Sequence, residues 1–537
     1  MAKNVATPGV YIEEKNAFPN SVAAVPTAVP AFIGYTAKTT RNGATLVNTP
    51  VRISSMNEYH TIFGGGFETS FNIVEANPQQ FDFEVGNKHY QVVPERDSRF
   101  LMYDSIRLFF ANGGSTCYIV SSGGYYREEE APKAAPASAS AKPGDKNAKP
   151  GDKKVPEKPA AGKRQVNAIS KKALETALNT LISEQEVTLL VIPEAVMCEA
   201  ADCYALQQAM LMQCGQKMKN RFAILDVHSG YERRTYDAND VITKFREGIG
   251  NNNLNFGAAY YPWLYTSIVQ KDEVSYKNIG NADVLEKLLT AEAGEVNADS
   301  KRAEEAKIEI KKIGAADTNA ESLDQTLTTI SPAYKKIANS VRAQLNILPA
   351  SAGMAGVYAS VDDARGVWKA PANVGYNSVI APVVKLTNSD QEDLNITATG
   401  KSVNAIRSFV GEGTVVWGAR TLDGNSQDWR YVNVRRTMLY IEESVKNAAK
   451  SYVFEPNDNG TWTLISTMIS SFLGDVWRAG GLAGSTAEQA YSVEVGLGST
   501  MTPQDILDGF MRISVKVAVV RPAEFIVITF QQKMQES

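Results

Sequence analysis

Val187-Thr188-Leu189-Leu190-Val191-Ile192-Pro193 and, further on, Phe222-Ala223-Ile224-Leu225-Asp226-Val227 are the stretches on which the fold turns. Each is a short, nearly continuous apolar run, and a strand of that kind must be covered on both faces. Residues 203–218 between them read as a helix, so strand, helix and strand imply a parallel βαβ crossover. Working outward, 255–260 predicts a third such strand, running into Tyr261-Pro262-Trp263-Leu264. On the N-terminal side, Leu174, Leu178, Leu181 and Ile182 mark a helix that feeds the first strand. Earlier still, Met102, Ile106, Phe109 and Phe110 fall at helical spacing, Asn112-Gly113-Gly114 stops that helix, and 116–120 reads as a strand. The fold class is therefore mixed α/β with several domains.

Composition agrees with a large folded chain. Of 537 residues, 44% are hydrophobic, enough for a core in each of several domains. The 55 basic and 59 acidic side chains give a net charge of −4, and no basic surplus is present for neutralising phosphates. Nucleic acid is not an expected partner. Four cysteines in a chain this long make no disulfide framework and point to synthesis in the reducing cytoplasm. The opening Met1-Ala2-Lys3-Asn4 lacks a secretory h-region, and no apolar run reaches the ~20 residues of a membrane span. Direct membrane insertion is not expected.

Two segments differ from this background. Residues 127–164 repeat Lys-Pro-Gly-Asp-Lys and contain no Leu, Ile, Phe or Met, which predicts a disordered surface loop. Residues 277–345 are charged and helical: Ala306, Ile310 and Ile313 share one face, while Tyr334, Ile337, Val341 and Leu345 share another. Beyond Pro349 come glycine-rich turns and two strong helices, one through Met438, Ile441, Val445 and Ala448, the other over about 462–477. Thr502-Pro503 is a helix start. Met511, Ile513, Val515, Val517 and Val519 then alternate with more polar neighbours as a half-buried strand. After Pro522, the run from Phe525 through Val527 and Ile528 to Phe530 predicts a strand sandwiched on both faces.

Chemistry-bearing motifs are scarce. His60, His89 and His228 fit no metal or nucleophile spacing, and Cys198, Cys203 and Cys214 are spaced five and eleven apart where zinc wants a tight pair. Gly400-Lys401-Ser402 imitates the end of a phosphate-binding loop, but Asn395 stands where the upstream glycine belongs and no apolar strand leads in. No catalytic residue, cofactor or metal is expected. A P-loop-like nucleotide-binding enzyme and a host-surface binding module of a particle are the readings from other classes.

The two chain ends remain. Val10, Tyr11, Ile12 and Glu13, after Thr7-Pro8-Gly9, form a short extended arm with no partner strand beside it in sequence. Such an arm pairs within its own chain or adds to another copy's open sheet edge. This opening resembles that of the contractile tail sheath proteins of myophages, R-type pyocins and extracellular contractile injection systems. Further motifs follow in the family's order: Ala31-Phe32-Ile33-Gly34-Tyr35, Tyr260-Tyr261-Pro262-Trp263, Arg365-Gly366-Val367-Trp368, Val416-Trp417-Gly418-Ala419-Arg420-Thr421-Leu422, Tyr431-Val432-Asn433-Val434-Arg435-Arg436, Phe454-Glu455-Pro456-Asn457 and Arg521-Pro522-Ala523-Glu524-Phe525.

The resemblance implies a non-enzymatic subunit of stacked hexameric rings around an inner tube, contracting to drive the tube through a target envelope. Partners would be other copies of the chain, the inner tube protein, and baseplate and terminator or cap proteins. The chain then divides into an N-terminal strand-exchange arm (1–20), an outer α/β body (21–126 and 165–390) carrying the 127–164 loop and the 277–345 helical insertion, and a C-terminal inner domain (391–537). Assembly residues would be Val10, Tyr11, Ile12 and Glu13 of the first arm. In the C-terminal strands they would be Val515, Val517, Val519, Phe525, Val527, Ile528 and Phe530.

Overall fold

A computed structural model describes residues 22–95, 99–127, 165–296, 300–315 and 319–529. The N-terminal arm with Val10, Tyr11, Ile12 and Glu13, the lysine-rich loop beyond Arg127, and Phe530 lie outside the described residues. The chain opens with strands β1 (Pro30–Thr36) and β2 (Val51–Ile53), then a meander of β3 (Phe71–Glu75), β4 (Phe83–Val85) and β5 (Lys88–Pro94). Helix α1 (Met102–Ala111) leads to β6 (Cys117–Gly124), α2 (Lys171–Thr180) to β7 (Leu189–Val191), and α3 (Ala200–Met212) to β8 (Phe222–Asp226), with β9 (Gly257–Tyr261) following. Helices α4 (Ala282–Val296), α5 (Ser300–Ile310), α6 (Ala320–Ile330), α7 (Pro332–Leu345) and α8 (Ser351–Arg365) precede β10 (Val374–Gly375), β11 (Asn404–Phe409) and β12 (Gly413–Val416). The chain ends in α9 (Val432–Ala449), α10 (Asn459–Arg478), β13 (Tyr491–Val495) and β14 (Ile513–Val517).

The expected βαβ unit is the centre of a nine-stranded sheet ordered β10-β12-β11-β9-β8-β7-β1-β6-β2. Its middle strands run parallel, with Ala31 opposite Tyr118, Phe32 opposite Val191 and Ala223 opposite Gly257, and antiparallel strands close both edges. β7, β8 and β9 are buried along their whole length, which is why their sequences carry apolar residues at both parities. Helices α1 and α8 cross closely because Gly356 has no Cβ: one placed there would stand 2.4 Å from the Phe109 carbonyl oxygen. The sheet also takes in β11 and β12, so a domain boundary at 390/391 would divide strands of one sheet.

A second core stands apart. Phe71, Ile73, Phe83, Tyr90 and Val92 of the meander pack against Leu285, Leu289, Ile310, Leu327, Tyr334 and Ile337 of α4–α7. The helical stretch is thus half of a unit whose other half lies some 200 residues earlier, joined by Asn281, which accepts from the Ile73 amide at 3.0 Å and donates to the Ile73 carbonyl at 2.8 Å, |i−j| = 208.

The third core comprises Ile441 and Ala448 of α9, Ile465, Met468, Ile469, Phe472 and Leu473 of α10, and Val22 from the start of the described chain. β13 and β14 lie against it as a two-stranded sheet, with Val493 opposite Val515 and Tyr491 opposite Val517. Val515 and Val517 are half-buried as the alternation predicts, while Val519 lies past the strand and bridges to Leu482. Of the sandwiched strand expected at 525–530, the described residues 525–529 form no strand. Phe525, Ile526, Val527 and Ile528 are 67–88% exposed, because no neighbouring strand of the same chain lies beside them among the described residues.

Candidate assembly joint

Helix α9 belongs to two cores at once. Val432 and Leu439 near its start pack in the large body, whereas Ile441 and Ala448 pack in the third core. Its first turns carry Arg435 and Arg436, both buried, at the helix end where the backbone dipole disfavours cations. Each therefore needs local compensation. Arg436 pairs with Asp362 of α8 (Nη1 to Oδ1, 2.9 Å), donates to the Thr27 carbonyl at 3.0 Å and lies 4.6 Å over the Tyr358 ring. Arg435 lies 4.3 Å over Phe256 and 4.4 Å over Trp429, and burial lowers its pKa. Asn433 donates to the carbonyls of Trp368 (2.8 Å) and Val520 (3.1 Å). One helical turn thereby holds the N-terminal segment, α8 and the C-terminal segment together.

The C-terminal segment is pinned a few residues later. Both carboxylate oxygens of Glu524 accept from Arg420, Nε to Oε1 at 2.9 Å and Nη2 to Oε2 at 2.6 Å. Tyr431 adds a hydroxyl bond at 3.1 Å and Asn395 an amide bond at 3.1 Å. Arg420 is almost wholly buried and fixed from behind, its Nη1 donating to the Asn395 carbonyl at 3.0 Å. A bidentate, charge-assisted pair of this kind is strong and directional. Past it the chain emerges beside a groove of about 600 Å³ lined by Arg407, Trp417 and Asn395 on the body and by Pro522, Phe525 and Ile526 of the segment itself.

At the other end, the Val25 amide donates to Ser444 of α9 at 3.3 Å, so both ends of the described chain run along the same helix. Beside them the β13–β14 sheet has α10 against one face and, among the described residues, no third strand on either edge. Two-stranded sheets are marginal by themselves.

The sequence reading placed the C-terminal assembly residues in this region, with Val515 and Val517 in the sheet and Phe525, Val527 and Ile528 in the emerging segment. It did not find the Glu524–Arg420 clamp, whose sole signal is a carboxylate inside an otherwise apolar run. The decoys are absorbed by the fold: Lys401 donates to the Arg246 carbonyl at 2.5 Å, and the four cysteines are buried and free. Among the described residues no cluster of three metal-ligating side chains occurs and no helix is long and apolar enough to cross a membrane.

The described residues thus form a multi-core α/β fold whose two described ends converge on one helix, beside a two-stranded sheet with no third strand among the described residues. The chain is similar to contractile tail sheath proteins. Residues 425–533 match the family described as phage tail sheath C-terminal domain. The tail sheath protein of Vibrio phage KVP40 is 23% identical over 291 residues, 50% of this chain and 42% of that protein. That of Burkholderia phage BcepMu is 30% identical over 131 residues, 24% of this chain and 27% of that protein. The chain thus matches less than half the length of these curated relatives. Solved structures match over its whole length: a PVC sheath complex of an extracellular contractile injection system in the contracted state (27% identity, 99% of each chain, TM-score 0.56), and the contracted helical sheath of the anti-feeding prophage (26%, 98% of this chain and 100% of that one, TM-score 0.57).

Proposed function

We propose that this chain is the repeating subunit of a contractile sheath in a phage tail or an extracellular injection particle. It polymerises as stacked hexameric rings around an inner tube, from a baseplate to a terminator or cap, and contracts to drive the tube through a target envelope. The observation that carries this reading is the run Phe525–Ile528, exposed beyond the Glu524 clamp in a subunit that also holds a two-stranded sheet with no third strand among the described residues. Four consecutive exposed apolar residues are costly for an isolated chain and useful as a strand given to a neighbour. The arm at Val10, Tyr11, Ile12 and Glu13 takes the same role from the other end.

The physics suits a machine that repacks without coming apart. A main-chain hydrogen bond contributes ~0.5–1.5 kcal/mol net, so one short arm is a weak tether. Repeated through a lattice, such tethers keep subunits joined while the bodies rotate, and a better-packed interface in the contracted state supplies the work without nucleotide hydrolysis. The test is a chain ending at Glu524. It is expected to stay folded, with an unchanged thermal midpoint, and to form no long striated cylinders in negative-stain electron microscopy. Full-length cylinders from it defeat the reading.

A further inference from the structure

The strand-exchange reading leaves Phe454-Glu455-Pro456-Asn457, the connection from α9 to α10, without a role. Phe454 has φ +73° and its side chain is 102% exposed. A bulky residue rarely occupies the left-handed region, and here its ring is buried by none of the described residues in return. The loop is nonetheless firmly held. The Val453 amide donates to the Lys450 carbonyl at 3.3 Å and the Glu455 amide to Tyr452 at 3.2 Å. Asn457 donates to the Phe510 carbonyl at 3.0 Å and accepts from the Trp462 indole at 2.7 Å, and Asp458 caps α10 through the Thr461 amide at 3.0 Å.

The ring is not alone. Val453, Leu497, Leu507 and Phe510 are each more than half exposed. The Asn457–Phe510 bond and a 2.6 Å bond from Thr500 Oγ1 to the Arg512 carbonyl bring their three loops together. The patch is continuous with the β13–β14 hairpin: Leu497 follows β13 and Phe510 precedes β14.

We propose that this patch, with Phe454 as its anchor, is the contact surface for the body of a second copy of the chain. The identity of the occupant rests on the strand-exchange reading, because a copy whose arm adds to the edge of β13 or β14 is brought alongside the patch. The patch also lies wholly within the 425–533 segment that matches the sheath C-terminal domain. Rigid aromatic anchors at fixed positions dominate interface energetics, and holding one in its bound conformation beforehand lowers the cost of association.

Phe454→Gly separates the two halves of this argument, since glycine accepts the positive φ while removing the ring. The soluble subunit is expected to keep its thermal midpoint or gain about 1–3 °C, while the concentration needed for polymerisation, measured by sedimentation, rises about tenfold or more. Phe454→Leu is expected to recover part of that loss. A lowered midpoint with unchanged polymerisation makes the ring a structural residue and overturns the proposal. Unchanged polymerisation at an unchanged midpoint overturns it as well. Intact self-polymerisation with lost decoration of inner tubes assigns the patch to another partner and also overturns it. The chain ending at Glu524 keeps the two readings distinct: if it fails to polymerise while Phe454→Gly polymerises normally, strand exchange stands and the patch falls. If it polymerises normally, the occupant loses its basis.

Discussion

The large body and the C-terminal unit solve the problem of sheet edges in opposite ways. In the body, parallel strands lie between antiparallel edge strands, and the edges are short, β10 being a two-residue strand. Short edges resist pairing with other chains. Among the described residues the C-terminal unit has no third strand on either edge of β13–β14, and an exposed apolar run follows at Phe525–Ile528. The body closes its sheet with its own strands, and the C-terminal unit is the part to which the proposed strand exchange would add a neighbour.

The largest expected effect comes from cutting the connection between the two. Asp362 and Arg436 are each 4% exposed or less, and Asp362→Ala strands a buried guanidinium at the start of α9. Removing one partner of such a pair costs about 3–5 kcal/mol. Urea unfolding of this variant is expected to show a lowered midpoint and two separated transitions, body and C-terminal unit, where the parent shows a coupled one. A single transition with an unchanged midpoint means the two regions are not joined through Arg436.

A smaller effect distinguishes the body by pH. Glu194 is wholly buried, accepts from the amides of Tyr35 at 2.8 Å and Met102 at 3.2 Å at the start of α1, and desolvation pushes its pKa from 4.5 up to about 8. Because the folded value is raised, the stabilisation belongs to the protonated form. It is complete below about 4.5 and is lost as pH rises through about 8. Body stability is therefore expected to fall between pH 5 and 8, by no more than about 1.4 kcal/mol per pH unit. Glu194→Gln is expected to flatten that slope in denaturant titrations, and a slope of the same size in the variant assigns it to other groups.

The smallest effect lies in the C-terminal sheet. Lys516 and Glu494 meet across β13–β14 at 3.0 Å but remain largely exposed. Lys516→Ala is expected to shift stability by less than about 0.5 kcal/mol. A larger loss in thermal unfolding would mean that the sheet depends on its own side-chain pairs and is less in need of a neighbour.

How far the sequence could be read follows the same division. β7 and β8 were legible because burial on both faces writes itself as an uninterrupted apolar run. The meander was not: Phe71 and Ile73 alternate over too few residues, and their partners in α4–α7 come some 200 positions later. The run from Phe525 was legible as strand material, but no partner strand lies beside it among the described residues, so a burial argument put it inside the fold. Glu524 and Arg420 were invisible as a pair because single charged residues carry no periodicity, and only the folded chain brings them together.

That separation has a consequence in time. Arg420 and Glu524 are 104 residues apart in the chain, so at about 5–20 residues per second of synthesis the arginine waits roughly 5–20 s for its carboxylate. Throughout that interval the body can fold while the last segment has no fixed point from which to leave it. The clamp thus closes late, and until Glu524 has been made nothing fixes the direction in which residues 525–529 leave the body.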